Sequence, residues 1–486
     1  MSKEFSDIQT REIGLQKTLS AGQLGMIALG GAIGTGLFLG SKFAIGFAGP
    51  SVVLSYLIGG AIALMLMGVL AEMTVKHPTS GSFGAYAEHY LGPVWGFVTR
   101  YMYWFCIVLA VGTEVTAVGV YMEMWFPGVP PWIWVVLFSA ALILVNAMNV
   151  KSFGTLEYWF SAIKVFAILA FIIVAAWLVF FSGTKEYGVQ NWSADGGFMP
   201  NGLTGMWFAV IVSIFSYLSI EMIAVAAGEA KEPEKAVRKA FKSTIFRLVI
   251  FYFLTLTLVV SIAPMSAILE GDSPFVTVMQ VVGIPFADSI LNFVVIIAAL
   301  SAMNSQLYIS TRMMFSLARA GEAPRVLGKV RANGTPLNAL LLSTGGIAIA
   351  TIIYVLIPGE AFTTMFAISM FGAMFTWFII FVTHIAFRRR LAATGEKLSY
   401  RIPGSRVGAV LGAILMFAVA VTTAFTEEFR LTLPFGAVSL ALTFLAYYLL
   451  KRRRGSSQAG LPDAAAGAAA DAAQAKPEVP AGRDAE

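Results

Sequence analysis

The chain reads as an all-α membrane protein of about twelve transmembrane helices. Three observations lead there. Hydrophobic residues fill 58% of the 486 positions and charged residues only 12%, with a mean hydropathy of +0.78, which is more apolar surface than a soluble fold of this length could bury. Apolar runs such as WIWVVLFSAALILV (132–145) and VFAILAFIIVAAWLVFF (165–181) reach or approach the roughly 20 residues that cross a hydrocarbon core of about 30 Å. The period-two alternation of a membrane barrel strand is absent.

Taken in order, the spans fall at 20–46, 51–75, 97–126, 131–150, 156–182, 203–230, 244–266, 286–318, 337–357, 361–387, 407–426 and 433–450. Counting along them puts KEPEKAVRKAFK (231–242), RAGEAPRVLGKVR (319–331), RRRLAATGEKLSYR (388–401) and KRRR (451–454) on one side of the membrane. Lys3, Arg11 and Lys17 join that side, whereas the opposite loops hold only Lys42, Lys185 and Arg430. The positive-inside bias therefore sets both termini in the cytoplasm, with the protein multi-pass in the cytoplasmic (inner) membrane. The net charge of +6 is a topological signal of this kind, and no nucleic-acid partner is needed to explain it.

The segments outside the spans are read more plainly. A polar N-terminal arm (1–19) leads into a long apolar span rather than a short, cleavable signal core. The tail (451–486) becomes Ala-, Gly- and Pro-rich with no aromatic residue, and reads as a disordered cytoplasmic extension. KEPEKAVRKAFK is a solvated loop with one helical turn, or part of an inner gate. Trp125, Trp132 and Trp134 belong to an interfacial aromatic belt. Cys106 is the single cysteine, and His77, His89 and His384 lack ligand spacing, so neither a metal nor any cofactor is expected. An enzyme would need a nucleophile and base or metal ligands, and a channel a polar lining or charged rings; neither pattern is present.

One stretch runs against the apolar trend: GGAIGTGLFLG (30–40) holds Gly30, Gly31, Gly34, Gly36 and Gly40 within the first span. It is no nucleotide fingerprint, because GTGLFLG lacks the G-x-G-x-x-G spacing and follows no strand. A single G-x-x-x-G would be explained by close helix packing. GGAIGTG goes beyond that and points to a broken helix, tolerated at membrane depth only where protein or a wet cavity satisfies the freed backbone groups. The half beginning near Thr35 turns N–H groups and a positive dipole end toward the gap, which suits a carboxylate. The half ending near Ala32 turns carbonyls there, which suits an ammonium. A zwitterion fits both. If the bundle is an inverted repeat, a matching interruption falls in the sixth span, and there FSYLSIE places Glu221 at membrane depth, well inside the span, the alternative being a carboxylate solvated at a helix end.

Six segments carry a resemblance: GGAIGTGLFLGS (30–41), KHPTSGSFGAYAEHYLGP (76–93), EVTAVGVYMEMWFP (114–127), NVKSFGTLEYWFSAIKV (149–165), IEMIAVAAGEAKEPEKAV (220–237) and LSAMNSQLYISTRMMFSLARAGEAP (300–324). In this order they resemble the amino acid permeases of the amino acid, polyamine and organocation superfamily, in particular the bacterial subgroup with proline, aromatic and GABA permeases. The resemblance covers about residue 10 to 450. It implies a LeuT-type bundle: a first inverted repeat over 20–182, a second over 203–387, helices 1 and 6 unwound around the substrate, and two further helices at 407–450. It also implies that backbone amides at Gly34, Thr35 and Gly36 bind the substrate carboxylate, and that carbonyls at Ala32, Ile33, Phe215 and Leu218 hold its amine. Glu221 matches the family's acidic residue after the sixth-helix break. Ser219 departs from the glycine that many relatives carry there.

Energy coupling turns on Lys164 in SAIKV, about eight residues into the fifth span and so roughly 12 Å deep. Its ammonium could snorkel to the surface. Alternatively it exchanges a proton when a cavity wets, as coupling requires. Proton-coupled relatives carry a lysine in this motif, which favours proton symport over sodium symport. Glu114 is the next candidate on a proton path, or a packing partner within the bundle. Asn304 in the eighth span either faces the pocket or bonds between helices. The expected partners are a small zwitterionic amino acid, a proton and membrane lipid, and the expected activity is secondary uptake, with amino acid or polyamine exchange on the same scaffold as the alternative. No oligomeric interface is legible in one chain.

Overall fold

A chain this apolar must satisfy its backbone internally, because lipid offers no partner for N–H and C=O groups. Helices are the result throughout the described residues. The computed structural model describes residues 33–148, 150–184, 186–227, 233–271 and 273–459, together with Phe5, Met26 and Gly31. The rest of the N-terminal arm, most of 20–32 including Ala32, and the tail beyond 459 lie outside the described residues.

The described part of the first span begins with α1 (Thr35–Phe38), which passes through a turn at Leu39 into α2 (Gly40–Ala48). There follow α3 (Val52–Lys76), the short α4 (Ser82–Leu91), α5 (Pro93–Glu123), α6 (Pro131–Met148) and α7 (Val150–Phe181). The sixth predicted span is split into α8 (Gly202–Ser216) and α9 (Met222–Ala226). After it come α10 (Pro233–Ile262), the short α11 (Met265–Glu270) and α12 (Pro274–Val282), and the long α13 (Ala287–Arg319). The chain closes with α14 (Leu337–Ser343), α15 (Gly345–Leu356), α16 (Ala361–Thr394), α17 (Ser405–Thr422) and α18 (Thr432–Ala459). Among the described residues, nine helical stretches are long and apolar enough to cross a bilayer, and two shorter apolar helices, Gly202–Ser216 and Leu248–Ile262, accompany them.

The centre of the bundle is α5, whose apolar stretch is 89% buried and packs along α13 and α16, whereas that of α18 at the rim is only 6% buried. Without a hydrophobic force between helices in lipid, close approach depends on small residues. Gly346 shows this where α15 meets α5: a Cβ there would lie 1.7 Å from the Val108 carbonyl oxygen. The same central helix carries Tyr103 and Glu114, so its position decides what faces the two interrupted helices.

Candidate functional site

The first interruption ends at Gly34, an extended residue (φ −130°, ψ −156°) that has no side chain to cap the helix behind it. The cap arrives from α5. Glu114 Oε2 accepts a hydrogen bond from Thr35 N–H at 3.2 Å, placing a carboxylate on the positive end of α1. A Cβ on Gly34 would lie 2.8 Å from Glu114 Oε1, so the missing side chain is what admits the carboxylate. One residue earlier, Ile33 presents its carbonyl to Lys164 Nζ at 2.9 Å. The start of α1 and the Ile33 carbonyl thus hold a carboxylate and an ammonium supplied by the protein itself.

Lys164 also donates to Ser301 Oγ at 2.8 Å, and Ser301 passes its own hydrogen to Glu157 Oε1. Glu157 Oε2 accepts from Asn304 Nδ2 at 2.9 Å, and Asn304 Oδ1 accepts from Asn146 Nδ2 at 2.8 Å. Lys164, Glu157, Ser301 and Asn304 are all fully buried. A buried ammonium is tolerated when such partners surround it. Asn304 therefore joins helices α6, α7 and α13 through side chains. Glu157 escaped the sequence reading, although a signal was there: it precedes Lys164 by seven residues, two helical turns, which sets both on one face of α7.

The second interruption occupies 217–221. Ser219 at its centre adopts φ +78°, a left-handed conformation that favours glycine. Glu221 serves this break much as Glu114 serves the first, accepting from Ser219 N–H at 3.2 Å, Tyr103 OH at 2.6 Å and Trp377 Nε1 at 3.1 Å. The Phe215 carbonyl accepts Leu218 N–H at 3.0 Å, within the turn. Phe215 packs edge-on against Phe366, with ring centres 4.3 Å apart.

The two breaks face each other. A Cβ on Gly31 would lie 3.3 Å from the Ser219 Cβ, and one on Gly36 would lie 2.8 Å from the Ser216 Cα and 2.9 Å from the Phe215 ring. Tyr56 and Tyr252, which no sequence motif singled out, bridge the crossing: Tyr56 OH pairs with Ser216 Oγ at 2.9 Å and Tyr252 OH donates to the Ser216 carbonyl at 2.7 Å. Ile33, Gly34, Thr35, Gly36, Phe215, Leu218 and Ser219 thus converge with Glu114 and Lys164, all of them buried. Glu221 is held by a separate set of partners on the α5 and α16 side.

Residues 23–451 match the amino acid permease family model. The chain belongs to the amino acid permease family. Across 91% of its length the permease is 38% identical to the uncharacterized amino acid permease YtnA of Bacillus subtilis, covering 96% of that protein. It is 35% identical to the probable threonine/serine transporter YbxG of the same organism, over 90% of this chain and 95% of the relative. It is 36% identical to the aromatic amino acid transport protein AroP of Escherichia coli, over 89% and 95% respectively. Multi-pass membrane transport rather than catalysis is the business of such a chain.

Proposed function

We propose that the permease imports an amino acid across the cytoplasmic membrane by proton symport, on a twelve-helix LeuT-type bundle with repeats over 20–182 and 203–387, two added helices at 407–450, and both termini cytoplasmic. One observation carries the reading: the carboxylate of Glu114 and the ammonium of Lys164 lie on the Thr35 N–H and the Ile33 carbonyl, the backbone groups that a zwitterionic substrate would use. Substrate and protein compete for the same backbone groups. The substrate carboxylate takes over Thr35 N–H, with Gly34 and Gly36 leaving room beside it, and the substrate ammonium takes over the Ile33 carbonyl, aided by Ala32, Phe215 and Leu218.

Protons enter through that competition. A protonated Glu114 no longer offers the negative charge that the α1 end prefers, so the incoming carboxylate displaces it more readily. Lys164, freed from the Ile33 carbonyl, keeps Ser301 and the Glu157 network as its proton-handling surroundings. Ser219 and Glu221 shape the second break, which bounds the side-chain pocket. No cofactor takes part.

The test is uptake into proteoliposomes under an imposed pH gradient, with one labelled amino acid competed against the full set to assign the side chain. Uphill accumulation driven by the gradient alone is expected, and obligate dependence on internal amino acid would instead establish exchange. Lys164→Ala is expected to abolish gradient-driven accumulation while retaining binding; concentrative uptake at the wild-type level would remove Lys164 from the coupling role.

A further inference from the structure

Away from the helix breaks, α16 and α17 meet at a cavity of about 240 Å³ whose walls carry Arg388, Arg389 and Arg406 together with His384, Ile385 and Val410. Its depth follows from the helix. The 34 residues of α16 extend roughly 51 Å at 1.5 Å each, well beyond a hydrocarbon core of about 30 Å. His384 lies roughly 35 Å from the Ala361 end, where hydrocarbon gives way to headgroups, and Arg406 is the second residue of α17.

The charges here are unbalanced. One carboxylate, Glu72 on α3, faces the cavity wall from inside: it pairs with His384 Nε2 at 2.8 Å and Arg388 Nη1 at 3.6 Å, and also accepts from Ile402 N–H and the Ser405 hydroxyl. Three guanidinium groups against one carboxylate leave positive charge uncompensated, and Arg401 adds to it. Arg388 is only 8% exposed, yet its Nε finds no hydrogen-bond partner among the described residues. Burying such a donor without a partner is costly. An anion in the cavity would meet it. Above it, Val407, Val410, Leu411, Ile414 and Phe417 lie exposed at helical spacing along α17, an apolar track leading from the charged cavity into the bilayer.

We propose that this cavity binds the phosphodiester headgroup of an anionic phospholipid, with an acyl chain lying along the α17 track. Planar guanidinium groups suit a phosphate ester, and basic pockets between transmembrane helices at the headgroup level are the sites where anionic lipids are held. The apolar track selects a lipid over a free phosphate. Direction and coupling of transport play no part in this site.

Native mass spectrometry of the full-length permease in detergent, titrated with phosphatidylglycerol or phosphatidylcholine, tests it. The exposed pair is changed in Arg389→Gln/Arg406→Gln, and a control of equal net charge carries Arg325→Gln/Arg331→Gln. Wild type and control are expected to retain phosphatidylglycerol in preference to phosphatidylcholine. The double variant at the cavity is expected to lose about thirtyfold in affinity, as two cations worth about 1 kcal/mol each are removed. Equal binding by the two double variants overturns the site. Displacement of phosphatidylglycerol by millimolar inorganic phosphate overturns the lipid as its occupant.

Discussion

At the scale of single residues, the two interruptions are stabilised by different means. Gly34 is extended and side-chain-free, so a carboxylate from another helix fits against Thr35 N–H. Ser219 reaches a left-handed conformation despite its Cβ, at a cost of about 1–2 kcal/mol, and its hydroxyl has no hydrogen-bond partner among the described residues. Ser219→Gly should therefore raise thermal stability in detergent by roughly 1 kcal/mol or somewhat less, since glycine gives back part of the gain as unfolded-state entropy. A lower melting temperature for this variant would assign the hydroxyl a structural duty that the geometry does not show. The residue reading was legible only in part. GGAIGTG announced the break and Lys164 its depth, but Glu157, Tyr56 and Tyr252 carry no signature of their own and gain meaning only from what they touch.

At the scale of elements, the site is a crossing of two broken helices that approach with almost no side chain between them. Gly36 makes this possible, for its Cα faces Ser216 backbone directly. Gly36→Ala forces backbone to move, and overpacking of this kind costs about 1–3 kcal/mol. Because the strain falls on the proposed binding region, the expected result is a loss of substrate affinity of tenfold or more, read as a raised KM for uptake in cells. An unchanged KM would show that the crossing does not bear on the substrate. Helix boundaries were largely legible beforehand: spans predicted at 131–150 and 337–357 correspond to Pro131–Met148 and Leu337–Leu356, because hydropathy is a local property. The short helices α4, α11 and α12 were not foreseen. They lie in connections whose packing against the bundle, rather than their own composition, makes them helical.

At the scale of the whole molecule, the uneven distribution of basic residues predicts which end faces the cytoplasm. The only native cysteine, Cys106, is 1% exposed, so single introduced cysteines report on topology with little background. Glu427→Cys, in the exposed turn between α17 and α18, should react with a membrane-impermeant maleimide in intact cells. Lys397→Cys, exposed beyond α16, should react only after permeabilisation. The reverse labelling pattern would invert the proposed orientation and, with it, the direction of uptake.

The amino-acid sequence by itself determined that lipid is the solvent, that helices follow, where most of them begin and end, and that two of them are interrupted. Each of these rests on composition and spacing within a few turns, and on the need to satisfy every backbone group in hydrocarbon. Only the tertiary structure decided which charges meet at the interruptions. Glu114 reaches Thr35 across 79 residues and Lys164 reaches Ile33 across 131, and such pairings depend on how α5 and α7 pack, which no local pattern encodes.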